Sequence, residues 1–285
     1  MKRILIAGEN SFLGKNVEAI LKEKGYSVTT IDMQKDTWNS SSLAGYDAVI
    51  NVCAIVHRPN ESDELFFKVN RDLAYALAVK SKEDGVKQFV QISTNGVFGI
   101  ELGIMSSESL FEPKSAYEIS KYEADCLIEA LRSPTFSVTI IRPPLIYGLG
   151  CKGNFPRIEH FAKKSIVFPK INNKKDFIYV KNLAHFILFV LEHNINGICY
   201  PRNSELISTW RLVKTIAKEN NHKICLVHIF NPFIFLFMKF VRSLRLIFGT
   251  NYCSIPVCEQ FEKWVEPYSF DDSIKDMYSN ANSKK

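Results

Sequence analysis

Short β-branched runs alternate with longer amphipathic stretches through the first half of the chain. That alternation restricts the fold to βαβ units, an α/β doubly wound parallel sheet with helices on both faces. The pattern predicts strands near Ile4–Ala7, Val28–Ile31, Ala48–Val52, Phe89–Ser93 and Val138–Arg142, with helices near Phe12–Lys24, Leu65–Glu83 and Ala116–Leu131. Right-handed crossovers bring every strand's carboxyl end to one edge, where open sheets of this kind bind ligands. Residues that carry chemistry should gather there. The chain has 285 residues, 46% of them apolar, enough to bury a large core, and its composition excludes disordered and fibrous classes.

After Tyr147 the pattern loosens into the loop Gly148–Gly153 and shorter elements. A helix at Asn182–Leu191 and a strand at Ile198–Tyr200 are expected to return to the sheet. Residues 1–152 and about 176–204 then form the sheet domain, and about 153–175 and 205–285 a smaller, discontinuous region facing the ligand edge. Residues beyond Asp276 are polar and expected to fray.

The net charge of +6 is spread along the chain, which argues against nucleic acid as a partner and suits an anionic small substrate. Seven scattered cysteines form no C-x-x-C pair and read as buried, reduced thiols of a cytoplasmic protein. The apolar run Ile4–Ala7 is too short for the core of a signal peptide. The six histidines are dispersed without metal-ligand spacing, so no metal is expected. Residues 229–248 are the most apolar part of the chain but are interrupted by Asn231, Pro232, Lys239, Arg242 and Arg245, which excludes a spanning helix. Pro232 suits the first position of a helix, and the three cations recur at every third residue. Within 232–248 this pattern fits either peripheral contact with an anionic membrane or a substrate-domain helix with a solvated basic edge.

Gly8-Glu9-Asn10-Ser11-Phe12-Leu13-Gly14 follows the first strand and opens the first helix, the place for a phosphate-binding turn. Gly8 permits the turn, Gly14 allows close helix packing, and backbone N–H groups at the helix start face a pyrophosphate. Ser11 stands where a glycine would allow the closest approach. Asp32, at the end of the second strand, can accept hydrogen bonds from an adenosine ribose and repel a 2′-phosphate, which favours NAD over NADP. Cys53 and Ala54 form a small-residue turn that can lie against the same cofactor.

Tyr117 and Lys121 lie four residues apart, on one helix face. Thr94 ends the fourth strand, so its hydroxyl and the phenol can meet at the sheet edge and straddle a carbinol. A tyrosine that ordinarily ionises near pH 10 must gain about 4 kcal/mol of acidity to act as a base near neutrality. One cation about 4 Å away at an effective dielectric of about 20 offers an interaction of that order. Lys121 is therefore expected to suffice, with an oxidised nicotinamide helping. Tyr117 then takes a hydroxyl proton as hydride leaves the same carbon, while Thr94 holds the oxygen.

These motifs, with Ser93-Thr94, Val97-Phe98-Gly99, Arg142-Pro143 and Asp176-Phe177-Ile178-Tyr179-Val180 in the same order, resemble the extended short-chain dehydrogenase/reductases. More narrowly, the chain is similar to their NAD-dependent epimerase/dehydratase branch, whose members act on nucleotide-activated sugars. The resemblance implies a Rossmann-type domain, NAD or NADP, a catalytic set of Thr94, Tyr117 and Lys121, cofactor contacts that include Asn70, and sugar contacts at Thr94, Asn95 and Asn154. It further implies a homodimer through the helices holding Asn70 and Tyr117, and a nucleotide-sugar substrate, with UDP the expected nucleotide. Asn95-Gly96 stands where 4,6-dehydratases carry Asp-Glu, which disfavours dehydration. Phe98 replaces the usual tyrosine of V-Y-G, and Leu145 an asparagine common in hexose epimerases. The run Arg142–Gly148 with Lys152-Gly153-Asn154-Phe155, and the apolar 229–248 segment, look more like a sub-branch serving surface-polysaccharide synthesis, and C4 epimerisation and 4-keto reduction both stay open. A noncatalytic NAD sensor or scaffold on the same fold is the alternative.

Overall fold

The computed structural model describes residues 1–35, 37–56, 61–153, 155–258, 261 and 264–282. Its centre is a six-stranded parallel sheet: β1 (Arg3–Ala7), β2 (Ser27–Ile31), β3 (Ala48–Asn51), β4 (Gln88–Ile92), β5 (Ser137–Ile141) and β6 (Gly197–Cys199). In space the order is β6-β5-β4-β3-β1-β2. The chain turns outward from β1 in both directions, so a switch point lies between β1 and β3, where an open α/β sheet leaves a crevice at its carboxyl edge. Each expected strand is present, displaced by one residue at either end.

Helix α1 (Phe12–Glu23) follows β1, and α2 runs from Asp63 to Glu83 with a π-helical middle, Phe67–Leu73. Next come α3 (Ala116–Glu129), α4 (Phe155–Lys164), α5 (Val180–Glu192), α6 (Thr209–Glu219), α7 (Asn231–Met238), α8 (Arg242–Phe248) and α9 (Phe270–Asn282). Strand β1 shows why the sheet is covered on both sides. Ile4 and Ile6 join an apolar cluster with α1 and α5, while Leu5 and Ala7 join another with α2 and α3. Residues of alternating direction are thus all apolar, the signature of a parallel strand buried on both faces.

Beyond the sheet, Leu145–Tyr147 pairs in parallel with Phe177–Tyr179, and β6 rejoins the sheet beside β5. Two expectations are corrected. The carboxyl-terminal stretch does not fray at Asp276, because Met277 and Tyr278 are buried and the Tyr278 hydroxyl donates to Glu159 at 2.9 Å. Nor do the cations of 229–248 form one stripe. Pro232 does stand in the first turn of a helix, but that helix ends at Met238. Arg242 and Arg245 sit on α8 and pair with Glu101. The cysteine expectation also fails in part, since Cys126 and Cys225 are exposed. Among the described residues no helix is long and apolar enough to cross a membrane.

Candidate active site

The turn after β1 is tied to the end of β2: the Gly8 and Glu9 amides both donate to the Ile31 carbonyl, at 3.0 and 2.9 Å. Asp32 is therefore held beside the glycine turn, its carboxylate accepting from the Gln34 amide at 3.0 Å. Gly8 has φ +121°, and a Cβ there would lie 2.9 Å from the Val52 side chain and 3.1 Å from the Cys53 amide. At Gly14 a Cβ would come within 2.5 Å of the Ser11 hydroxyl. That hydroxyl caps α1 by accepting from the Gly14 amide at 2.9 Å, the ordinary work of an N-cap serine. Leu13 is buried, Phe12 and Ser11 are half-buried, and Asn10 and Ala54 are exposed. A bare backbone at a helix start, with a carboxylate alongside, fits the pyrophosphate and ribose of a dinucleotide. We expect Gly8→Ala to weaken NAD binding at least tenfold, measured by calorimetry, because its Cβ displaces the turn and strains the backbone.

Asn70 is corrected. It is wholly buried and spends its amide on structure, accepting from the Ile55 amide at 2.8 Å and donating to the Ile55 carbonyl and to Ser120. The π-helical stretch of α2 places it there. It holds the loop after β3 against α3 and presents no atom to the crevice.

Helix α3 starts with a capping box: the Ser115 hydroxyl accepts from the Glu118 amide, and Glu118 accepts from the Ser115 amide. This fixes the first turn, which carries Tyr117. The Thr94 hydroxyl, which accepts from the Gly96 amide at 3.0 Å, lies close to the Tyr117 phenol at the sheet edge. Burial pushes the phenol up to about 12, the neighbouring Thr94 hydroxyl opposes this, and the carboxylates of Glu118 and Asp125 add to it. The expectation that Lys121 makes Tyr117 acidic is thus not met by these side chains alone. The Lys121 ammonium is buried, donates to the Ile92 carbonyl at 2.5 Å, and is lowered to about 8 by burial, with Asp125 and then Cys53 opposing. Both groups are desolvated, and for each the loss of water is the largest influence.

A cleft of about 190 Å³ opens next to this pair. Asn95, Gly96 and Glu118, the immediate neighbours of Thr94 and Tyr117, form one wall, and Leu145, Lys175, Asp176, Arg242 and Asn251 line the rest. Asn95 is where the sequence puts it, whereas Asn154 lies outside the described residues. Phe98 is buried in a small core, its ring 4.7 Å from Phe111 and 6.0 Å from Tyr200. Leu145 makes an apolar wall. Lys175 and Glu118 escaped the sequence reading, while Asp176 entered it only within a motif and Arg242 only as one of the cations of 229–248. The Lys-Asp pair just before Phe177–Tyr179 is the signal that could have marked Lys175 and Asp176.

Residues 4–200 match the family model described as the NAD dependent epimerase/dehydratase family. The chain belongs to that family. Its members use NAD, and the turn and Asp32 fit that cofactor, so the protein is an NAD-dependent enzyme. UDP-glucose 4-epimerase of Vibrio cholerae is 26% identical over 246 residues, 76% of this chain and 75% of that protein. GDP-6-deoxy-D-talose 4-dehydrogenase of Aggregatibacter actinomycetemcomitans is 28% identical over 221 residues, 69% of this chain and 74% of its own. In three dimensions, MoeE5 in complex with UDP-glucose and NAD superposes with a TM-score of 0.77, covering 99% of this chain and 100% of its own at 16% identity. At that identity the likeness establishes the shared fold.

Proposed function

We propose that this member of the family carries out NAD-dependent redox chemistry at C4 of a nucleotide sugar, UDP-linked, in surface-polysaccharide synthesis. The step is epimerisation or 4-keto reduction, with NADP the alternative cofactor. The observation that carries this reading is the Thr94–Tyr117 pair, brought together beside the cleft, with the buried Lys121 one helical turn further along α3. NAD, when bound, supplies the hydride acceptor or donor and a ring that is cationic when oxidised. Thr94 holds the C4 oxygen, and Tyr117 gives or takes its proton. As it stands the phenol is fully protonated at neutrality, ready to donate to a C4 carbonyl. The oxidative half of an epimerisation needs further positive charge beside it.

The proposal extends to residue groupings that the family alone does not fix. Gly8 to Gly14, Asp32, Cys53 and Ala54 face NAD, while Asn95 and Asn154 face the sugar. Residues 1–152 and 176–204 form the cofactor part, and the protein acts as a homodimer through α2 and α3. Lys175 is the group for the diphosphate: it lines the cleft, and burial lowers it to about 8, with Asp176 opposing. A bound diphosphate favours the ammonium. UDP affinity should therefore be full below pH 8 and fall about tenfold per pH unit above it, until the pKa of the complex is reached. Calorimetry from pH 7 to 10 measures this, and Lys175→Met should give a flat profile and about tenfold or more weaker binding. A wild-type profile already flat over that range would remove Lys175 from the diphosphate site.

Incubation with UDP-hexoses, and separately with a UDP-4-keto sugar plus NADH or NADPH, decides the reaction. Sugar interconversion without net cofactor loss means epimerase; net oxidation of the reduced cofactor means reductase. Neither result, in a protein that still binds NAD, favours the sensor.

A further inference from the structure

Helix α7, with the sequence NPFIFLFM, has no buried side chain. Phe233, Phe235, Leu236 and Phe237 are each more than half exposed, and Phe240, just beyond the helix, is 77% exposed. Ile234 and Met238 rest half-buried against the core, while the phenylalanines and Leu236 occupy the rest of the circumference and face water. An apolar surface of this extent in water marks a contact site. It continues across the surface, because a second cavity of about 280 Å³ lies under α7, walled by Ile234 and Leu244 on one side and by the exposed Phe161 and Val167 on the other. The wall has little polarity to offer a polar ligand: the Thr209 hydroxyl is spent on the Ile247 carbonyl at 2.6 Å.

Charge identifies the occupant. No Asp or Glu occurs from Asn220 to Cys258, nor from His160 to Lys175, and these two stretches supply most of the patch, with Ile158, Thr209 and Val213 completing the cavity wall. Lys164, Lys223 and Lys239 are exposed within them. A second copy on this face would set like cations against one another across a two-fold axis, with no acid in either stretch to pair them. A leaflet rich in anionic lipid offers hydrocarbon to the phenylalanines and phosphates to the lysines. We propose that α7 and the surface around it dock on an anionic lipid bilayer. Arg242 and Arg245 take no part, being held by Glu101 at the cleft. Because α8 carries Arg242, Leu246 and Ile247 of the cleft wall, docking sets the mouth of the cleft near headgroup depth. This inference goes beyond the catalytic reading and stands independently of it.

The full chain is tested by sedimentation with sucrose-loaded vesicles of phosphatidylglycerol and phosphatidylcholine in equal parts, against phosphatidylcholine alone. Binding should be at least tenfold tighter to the anionic vesicles and should weaken in about 0.5 M salt, where screening shortens to a few ångströms. A Phe233→Ser/Phe235→Ser/Phe237→Ser variant should lose at least tenfold while keeping its thermal midpoint, since none of the three is buried. Independently of that variant's folding, Phe235→Trp should shift its emission to the blue on anionic vesicles and be quenched by brominated acyl chains. The proposal is overturned if wild type stays in the supernatant with both vesicle types, or if the tryptophan emission does not move. A concentration-dependent dimer in lipid-free buffer that the triple variant abolishes would assign the face to a second copy instead, and would equally overturn it. NAD binding, read by calorimetry on the same proteins, reports separately on the catalytic reading.

Discussion

Tyr117→Phe should lower turnover about a thousandfold, within the range for loss of a positioned general acid or base, while NAD affinity stays within about twofold. A thousandfold is about 4 kcal/mol of barrier, all of it assigned to one hydroxyl. The change keeps the ring and its packing, so circular dichroism and the thermal midpoint should match wild type. Loss of turnover with cofactor binding intact then isolates the proton step. Thr94→Ala removes the phenol's partner but leaves the proton donor, and its loss should be smaller. The electrostatics also set a sign for pH. Because burial holds the phenol near 12, its protonated form persists through the neutral range, and the reductive direction should not fall on that account below pH 8. Lys121, lowered to about 8, sheds its charge first as pH rises, so a decline on the alkaline side belongs to the lysine. A Tyr117→Phe enzyme with turnover within tenfold of wild type would remove the phenol from the mechanism.

The parts of the site that could be read from sequence are those fixed by local backbone chemistry. Gly8 to Gly14 after an apolar strand, and Asp32 at the end of the next, are set by a turn and by strand pairing, and the Ile31 carbonyl ties them together. Thr94 and Tyr117 are legible for the same reason: one lies just past a strand end, at Ile92, and the other sits in the first turn of a capped helix. What escaped depends on contacts between distant parts of the chain. Asn70 looks like a cofactor ligand in sequence, yet a π-helical stretch turns it onto Ile55 and Ser120. Arg242 looks like one member of a basic stripe until Glu101, far away in the chain, claims it. In sequence Lys121 reads as a bare charge beside the phenol. Sequence spacing puts it on the right face but carries no information on the water that both groups lose.

That lost water makes Asp125 the residue whose removal should cost the fold most. Its carboxylate is buried and accepts from Arg142 at 2.9 Å and from the Ser93 hydroxyl at 2.7 Å. Arg142 is itself buried, donating to the Tyr200 hydroxyl at 3.1 Å with its guanidinium 4.6 Å from the Phe111 ring centre. Breaking one side of a buried pair leaves an uncompensated charge, a loss of about 3–5 kcal/mol. Asp125→Ala should therefore move the urea midpoint by that equivalent. Replacing both partners with apolar residues of similar size removes both desolvation penalties, so Asp125→Leu/Arg142→Met should recover most of the loss. A single substitution costing under about 1 kcal/mol would show that the pair is not a structural charge pair at all. The same carboxylate is the foremost charge raising Lys121 against its burial. Asp125→Asn, which keeps the shape and most of the hydrogen bonding, should therefore shift the alkaline limb of the rate profile to lower pH even where folding is restored by NAD. A purely structural Asp125 would lower stability and leave that limb in place.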